Sequence, residues 1–159
     1  MKTFKTLAVT VALYGCASYC SAQNQPFSVT ISAKTTTFQV GKTIPILVST
    51  KNVSNQTLPL LIGSDDFNEQ GGFEVTVKNA DGQPLSRIQL SPEERERRPK
   101  TWSGGTLPFA PGDESKRTFF LNELFDLSVP GKYTVSTRRK EKLTKGFENS
   151  NVLTLTITP

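Results

Sequence analysis

The sequence predicts an all-β protein in which many short strands pack as the two layers of a sandwich. The main observation is a period of two in the apolar residues, which begins at Phe27 and continues to the C-terminus. Turn-forming residues interrupt this alternation at intervals of roughly 8–12 residues, a spacing typical of a sandwich or a barrel. No amphipathic helix long enough to cover a sheet is visible in the pattern. We therefore predict a single Ig-like, Greek-key β-sandwich of about seven to nine strands.

The first half of the chain shows the alternation clearly. Residues 27–32 alternate apolar and hydroxyl side chains, and residues 44–48 repeat the pattern after a turn at 41–42. Residues 57–62 form a further short strand that contains Pro59. Proline cannot donate to the hydrogen-bond ladder, so this strand is predicted at a sheet edge or a bulge.

The second half continues in the same way. Residues 73–77 resume the alternation, and the sequence at 79–82 predicts a hairpin turn followed by a return strand through 85–90. A short helical corner is predicted at 124–127. The remaining strands are predicted at 115–121, 133–137 and 153–158.

Residues 91–105 form the least regular segment. A run of mixed charges is followed by Trp102 and by the glycine pair at 104–105, and one helical turn fits residues 92–98 with Ser91 as its cap. A lone tryptophan in such a loop either folds back over the edge of a core or serves as a binding anchor. The first interpretation is the more common one, and Trp102 is kept as a candidate binding residue.

The N-terminus predicts export. Lys2 and Lys5 precede a short apolar stretch at 7–17, and the small residues before Gln23 suit signal peptidase. The apolar stretch is shorter than the ~20 residues of a membrane span. We therefore predict a signal peptide at residues 1–22, a mature domain at 23–159 and a periplasmic or extracellular location. Lipoprotein processing at Cys16 is the alternative, because the preceding residues have the rough form of a lipobox.

Composition excludes several kinds of chemistry. The chain contains no histidine, and its two cysteines, Cys16 and Cys20, lie in the predicted signal peptide. Catalytic triads that need histidine and zinc sites built on histidine or cysteine are therefore excluded. The acidic residues at 65–69 could hold calcium, but a solvated loop is the more common reading of such a run. We expect a protein that is not an enzyme and has no cofactor or metal.

The charge balance argues against nucleic acid as a partner. The formal charge of +5 falls to +3 when the two lysines of the signal peptide are removed, and the basic residues are interspersed with acids. The most one-sided feature is a basic segment that would join the last two strands. Its residues are Arg138, Arg139, Lys140, Lys142 and Lys145. Such a segment either captures an anionic partner or guards a strand edge against aggregation.

Two segments resemble the strands of bacterial Ig-like domains. They are FQVGKTI with VSTKNVSN, at 38–44 and 48–55, and LSVPGKYTV at 127–135. The chain is similar to exported single-domain proteins of this kind and to the bacterial intracellular proteinase-inhibitor domain (BsuPI-like). The Pro-Gly-x-Tyr step predicts a tyrosine corner, in which the hydroxyl of Tyr133 bonds to backbone upstream.

The resemblance specifies a fold rather than a ligand, because fold and function are separable. We expect a monomeric, non-catalytic binding or accessory module whose partner is an envelope or extracellular protein or a polysaccharide. The alternative function is a protease inhibitor that presents a loop at one end of the sandwich, and residues 91–105 are the loop to test.

Overall fold

The computed structural model describes residues 25–63, 72–89, 91, 93, 104–140 and 146–159. Within these residues the chain forms ten β-strands and a short 3-10 helix, η1. The strands are β1 (Phe27–Ser32), β2 (Thr37–Gln39), β3 (Pro45–Asn52), β4 (Leu58–Gly63), β5 (Phe73–Lys78), β6 (Gly104–Phe109), β7 (Glu114–Phe120), β8 (Gly131–Lys140), β9 (Phe147–Asn149) and β10 (Leu153–Thr158), and η1 spans Leu121–Glu123.

The strands form two main sheets and one small one. One layer has the order β1-β3-β7, and the other has the order β2-β10-β8-β5 with β9 paired to the distal part of β8. Strands β4 and β6 form a separate two-stranded sheet. All named pairs are antiparallel except β2 with β10. The predicted all-β, Ig-like sandwich is therefore confirmed.

The core lies between the two large sheets because alternate residues of each strand point inward. Strand β5 buries every second side chain, and β8 buries Tyr133, Val135, Thr137 and Arg139 in the same rhythm. Ile46 of β3, Val135 of β8 and Leu155 of β10 have no exposed surface. A second, smaller cluster joins Phe27 to Leu60 and Phe109 of the β4–β6 sheet. This cluster fixes the start of β1 against the small sheet.

The corners are held by hydrogen bonds from single side chains. The hydroxyl of Tyr133 donates to the carbonyl oxygen of Val129 at 2.7 Å, which confirms the predicted tyrosine corner. Asn52, with 1% of its surface exposed, donates to the carbonyl oxygens of Gln56 at 2.8 Å and Phe109 at 2.7 Å. Its own side-chain oxygen accepts from the backbone N–H of Ser54 at 3.0 Å. Asn52 thus joins the end of β3 to the end of β6.

Two local expectations need correction. No return strand forms at 85–89: the turn at 79–82 is followed by single bridges from Lys78 to Pro84 and from Arg87 to Phe125. Pro84 has no N–H to donate, which removes one hydrogen bond from the pairing with β5. The short helix lies three residues earlier than predicted: η1 spans Leu121–Glu123, and residues 124–127 contain no helix.

Strand β6 was not predicted. Its sequence contains two glycines and Pro108, and both residue types are depleted in strands, so the segment gives no strand signal. Pro108 lies opposite Pro59 of β4 in the small sheet. Two prolines are tolerated there because a two-stranded sheet consists only of edges, which agrees with the predicted edge position of Pro59.

Within the described residues, no helix has the length and apolar character needed to cross a membrane. The predicted signal peptide at 1–22 and the acidic residues at 65–69 lie outside the described residues.

Candidate functional site

The candidate site is the end of the sandwich where β8 pairs with β9, which we call the β8–β9 end. Arg138, Arg139 and Lys140 occupy the last three positions of β8. They face Asn149, Glu148 and Phe147, respectively, across the β8–β9 pair. Trp102, Lys142 and Lys145, the other residues that the sequence predicts for a binding surface, lie outside the described residues.

Arg138 lies on the outer face and is held in one orientation. Its guanidinium donates from Nε to the Oε2 of Glu74 at 2.6 Å, and its Nη2 lies 2.5 Å from the same oxygen. The guanidinium also stacks on the ring of Phe147, with 4.2 Å between the guanidinium carbon and the ring centroid. Both partners of the ion pair are about half exposed (49% and 50%), so the pair contributes orientation more than stability.

Lys140 is exposed at the last position of β8. Its backbone N–H donates to the carbonyl oxygen of Gly72 at 2.8 Å, just before β5 begins. The backbone beneath the side chain is therefore fixed, while the ammonium group is presented to solvent. Arg138 and Lys140 point the same way because alternate residues of a strand share a face.

Arg139 does not belong to this surface, which corrects the sequence-based prediction. Only 4% of its area is exposed, and its guanidinium carbon lies 5.0 Å from the ring centroid of Phe27 and 6.0 Å from that of Phe73. The physical reason is the strand pleat. Arg139 continues the inward series of Tyr133 and Thr137, so it points into the sandwich.

Glu148 is the residue that sequence reasoning missed. It lies directly opposite Arg139 on β9 and is 2% exposed. Its Oε1 accepts a hydrogen bond from the backbone N–H of Phe27 at 3.1 Å. Because the two buried residues carry opposite charges at facing positions, each offsets part of the cost of holding the other's charge out of water. If the alternation predicted at 133–137 is continued by two residues, Arg139 falls on an inward position. A buried arginine at that position predicts a nearby acidic residue, which is Glu148.

The carboxyls with lowered pKa values lie elsewhere. The pKa of Glu114 on β7 is lowered because it accepts a hydrogen bond from the Ser49 hydroxyl at 2.5 Å, with a further contribution from Lys116. Hydrogen bonds from Ser128 lower the pKa of Asp126. Both carboxyls serve local structure on the surface. In the part of the chain that the structure describes, histidine, cysteine and acidic residues form no group of three that could hold a metal.

Comparison with known proteins gives structural likeness only. No protein-family model matches the chain, and no curated protein sequence matches it. Among solved structures, β-glucosidase from Listeria innocua in complex with glucose has a TM-score of 0.46 at 14% identity, over 84% of this chain. The CARDB domain of PF1109 from Pyrococcus furiosus, in complex with di-metal ions, has a TM-score of 0.44 at 14% identity.

The extent of these matches differs. The likeness covers 83% of this chain and 87% of the CARDB domain. For the Listeria innocua β-glucosidase it covers only 16% of that chain, so the present protein spans about a sixth of the enzyme's length.

Proposed function

We propose that the protein is a non-catalytic, exported binding module that captures an anionic partner at the β8–β9 end. One observation carries the proposal: β8 presents Arg138 and Lys140 on a common outward face, and Glu74 with Phe147 holds the Arg138 guanidinium in place. A cation that is already oriented loses little conformational entropy when it meets an anion. The planar guanidinium also suits the geometry of a carboxylate, sulfate or phosphate group.

The absence of catalysis is part of the proposal, and the sequence supports it. A chain without histidine lacks the commonest general base, and its cysteines precede the predicted mature domain. The residues brought together at the β8–β9 end are suited to holding charge. They comprise two outward cations, one exposed acid and an aromatic ring.

Export is also part of the proposal. Cleavage after Ala22 would leave the first strand intact, because β1 begins at Phe27. Mass spectrometry of the protein recovered from its native host should then give a mature chain beginning at Gln23. A lipid-modified N-terminus at Cys16 would show lipoprotein processing instead, and an intact chain beginning at Met1 would contradict export.

Binding to polyanions tests the function directly. The purified protein should bind immobilised dextran sulfate and poly-L-glutamate but not uncharged dextran, and added salt should weaken the binding because exposed charges are screened. The variant Arg138→Gln/Lys140→Gln should bind these polyanions less tightly than the wild type. The matched control is Lys34→Gln/Lys42→Gln, which removes the same charge from exposed positions flanking β2. Failure of every polyanion to bind would overturn the proposed function.

The alternative function, protease inhibition through residues 91–105, concerns a segment of which only 91, 93, 104 and 105 are described. Titration of secreted proteases with the purified protein distinguishes the two functions. Stoichiometric loss of protease activity, abolished by replacing residues 95–102, would favour an inhibitor over the binding module.

A further inference from the structure

The outward face of β5, β8 and β10 carries only polar and charged side chains. Inward positions of these strands are buried, and the outward positions alternate with them. The outward residues are Glu74, Thr76 and Lys78 of β5, Lys132, Thr134, Ser136, Arg138 and Lys140 of β8, and Thr154, Thr156 and Thr158 of β10. We call this surface the hydroxyl face, because six of these side chains are hydroxyl residues.

The hydroxyl residues are arranged in rows across the strands. Thr134 lies opposite Lys78 on one side and Thr154 on the other, so one row has two hydroxyls and a lysine. Thr156 lies opposite Lys132 on one side and Thr37 of β2 on the other, which repeats the same composition in the next row. Neighbouring strands lie about 4.8 Å apart, so the hydroxyls form a regular array.

The hydroxyls of this array are available to a ligand. In the part of the chain that the structure describes, the side-chain hydroxyls of Thr134, Ser136 and Thr156 form no hydrogen bond with another protein group. A hydroxyl can donate one hydrogen bond and accept two, so each can pair with sugar hydroxyls in either direction. The array therefore matches the chemistry of a polyhydroxylated ligand.

Charge adds a second requirement for the ligand. The face carries the cations Lys78, Lys132, Arg138 and Lys140, against one acid, Glu74. The excess of positive charge is complementary to an anionic ligand. Strand β8 extends the face over about 30 Å, since each residue advances the strand by about 3.3 Å, and joins it to the β8–β9 end without a break.

The same face suits a protein partner poorly. Protein interfaces depend on buried aromatic and aliphatic anchors surrounded by a polar rim. The outward positions of β5, β8 and β10 supply no such anchor, and the ring of Phe147 at their border is covered by Arg138.

The opposite sheet also carries outward hydroxyls, among them the row of Thr30, Ser49 and Lys116, but it differs in its apolar outward side chains and in its charge. On its outward side, Phe120 exposes 40% of its surface and lies beside a half-buried Pro45. The outward charges of this sheet are Lys51 and Lys116 against Glu114, which pairs with Lys116 at 2.9 Å, so its excess of positive charge is smaller than that of the hydroxyl face. The combination of a wholly polar outward surface with the larger excess of positive charge is therefore found on the hydroxyl face and not on the opposite sheet.

We infer that the anionic partner is a linear polysaccharide bearing carboxylate or sulfate groups, which lies along the hydroxyl face from Lys132 toward Lys140. This inference rests on the proposed function and names its ligand class and contact surface. Threonine and serine hydroxyls contact the sugar hydroxyls, while the lysines and Arg138 contact the anionic groups.

Two pairs of substitutions test the inference by calorimetric titration with polygalacturonate and dextran sulfate. Thr134→Val/Thr156→Val removes two central hydroxyls but keeps β-branched side chains that suit a strand. We expect about fivefold to thirtyfold weaker binding, because each of the two lost hydrogen bonds contributes about 0.5–1 kcal/mol. Lys78→Gln/Lys132→Gln should weaken binding about tenfold at low salt, through loss of two cations.

The controls lie on the opposite sheet. Thr30→Val/Thr118→Val and Lys51→Gln/Lys116→Gln make the same chemical changes there and should leave affinity within about twofold of the wild type. Thermal unfolding of all four variants identifies any that lose affinity through loss of folding.

The possible results separate the inference from the proposed function. If the hydroxyl variant binds both polysaccharides as tightly as the wild type, the inference is wrong. If poly-L-glutamate binds at the β8–β9 end and neither polysaccharide binds, the inference fails while the proposed function stands. If no polyanion binds, both fail.

Discussion

Arg139 and Glu148 allow a sharp test of how this sandwich is held together. The two residues face each other across β8 and β9 with 4% and 2% of their surfaces exposed, and Glu148 also accepts from the backbone N–H of Phe27. The substitution Glu148→Gln keeps the size of the side chain and an acceptor for Phe27. It removes the negative charge, so the Arg139 guanidinium remains buried without its carboxylate.

The expected cost is large. Removing one partner of a buried ion pair destabilises a protein by about 3–5 kcal/mol, since the remaining charge stays out of water. A domain of this size has a free energy of unfolding of about 5–15 kcal/mol, so Glu148→Gln should remove a large fraction of it. The double substitution Arg139→Met/Glu148→Gln removes both charges and should cost only about 1–2 kcal/mol, because methionine fills the apolar space beside two phenylalanine rings.

Urea denaturation of the wild type, both single variants and the double variant measures the coupling. The double variant should be more stable than Glu148→Gln alone, with a coupling free energy of about 2 kcal/mol or more. Arg138→Gln is the matched control, because Arg138 is the neighbouring residue but its ion pair is exposed and should contribute at most about 1 kcal/mol. A Glu148→Gln variant within about 1 kcal/mol of the wild type, or a coupling near zero, would show that the two buried charges do not stabilise each other.

Other substitutions test single features of the fold by thermal or urea unfolding. Tyr133→Phe removes the 2.7 Å hydrogen bond to Val129 and should cost about 1 kcal/mol, and an unchanged midpoint would show that the corner does not depend on the hydroxyl. Asn52→Ala leaves the Phe109 carbonyl oxygen without its buried donor and should cost about 2–4 kcal/mol, far more than Asn55→Ala at an exposed position nearby. Gly112→Ala should cost about 1–2 kcal/mol because Gly112 has φ +86. An added methyl group meets no atom within 4 Å, so the expected loss of stability comes from the backbone conformation alone. A Gly112→Ala variant more stable than the wild type would contradict this explanation.

The alternation of apolar residues was sufficient to predict the longer strands of the two large sheets, β1, β3, β5, β7, β8 and β10, but not the three-residue strands β2 and β9. This works because each strand buries one face, and a period of two records that burial directly in the sequence. The tyrosine corner was predictable for a related reason, since Tyr133 reaches a backbone group only four residues away. Strand β6 was not predictable, because its pairing with β4 is non-local and its glycines and Pro108 carry no strand signal.

The basic segment shows the limit of reading charge from sequence. Arg138, Arg139 and Lys140 are consecutive and equally charged, yet the pleat sends Arg139 into the sandwich and leaves its neighbours outside. A buried arginine requires an acid at the same place, and that acid is nine residues further along on another strand. The hydroxyl face is likewise visible only when the registers of β5, β8 and β10 align residues far apart in the chain.

Local periodicity and composition are enough to predict an all-β chain, to assign the inward side chains of its regular strands and to exclude histidine-dependent chemistry. Which cations reach solvent and which residues share a row depend on strand pairing between distant segments, so these properties emerge only in the folded protein. The bond from the backbone of Phe27 to Glu148, which spans 121 residues, is the clearest example of information that no local pattern contains.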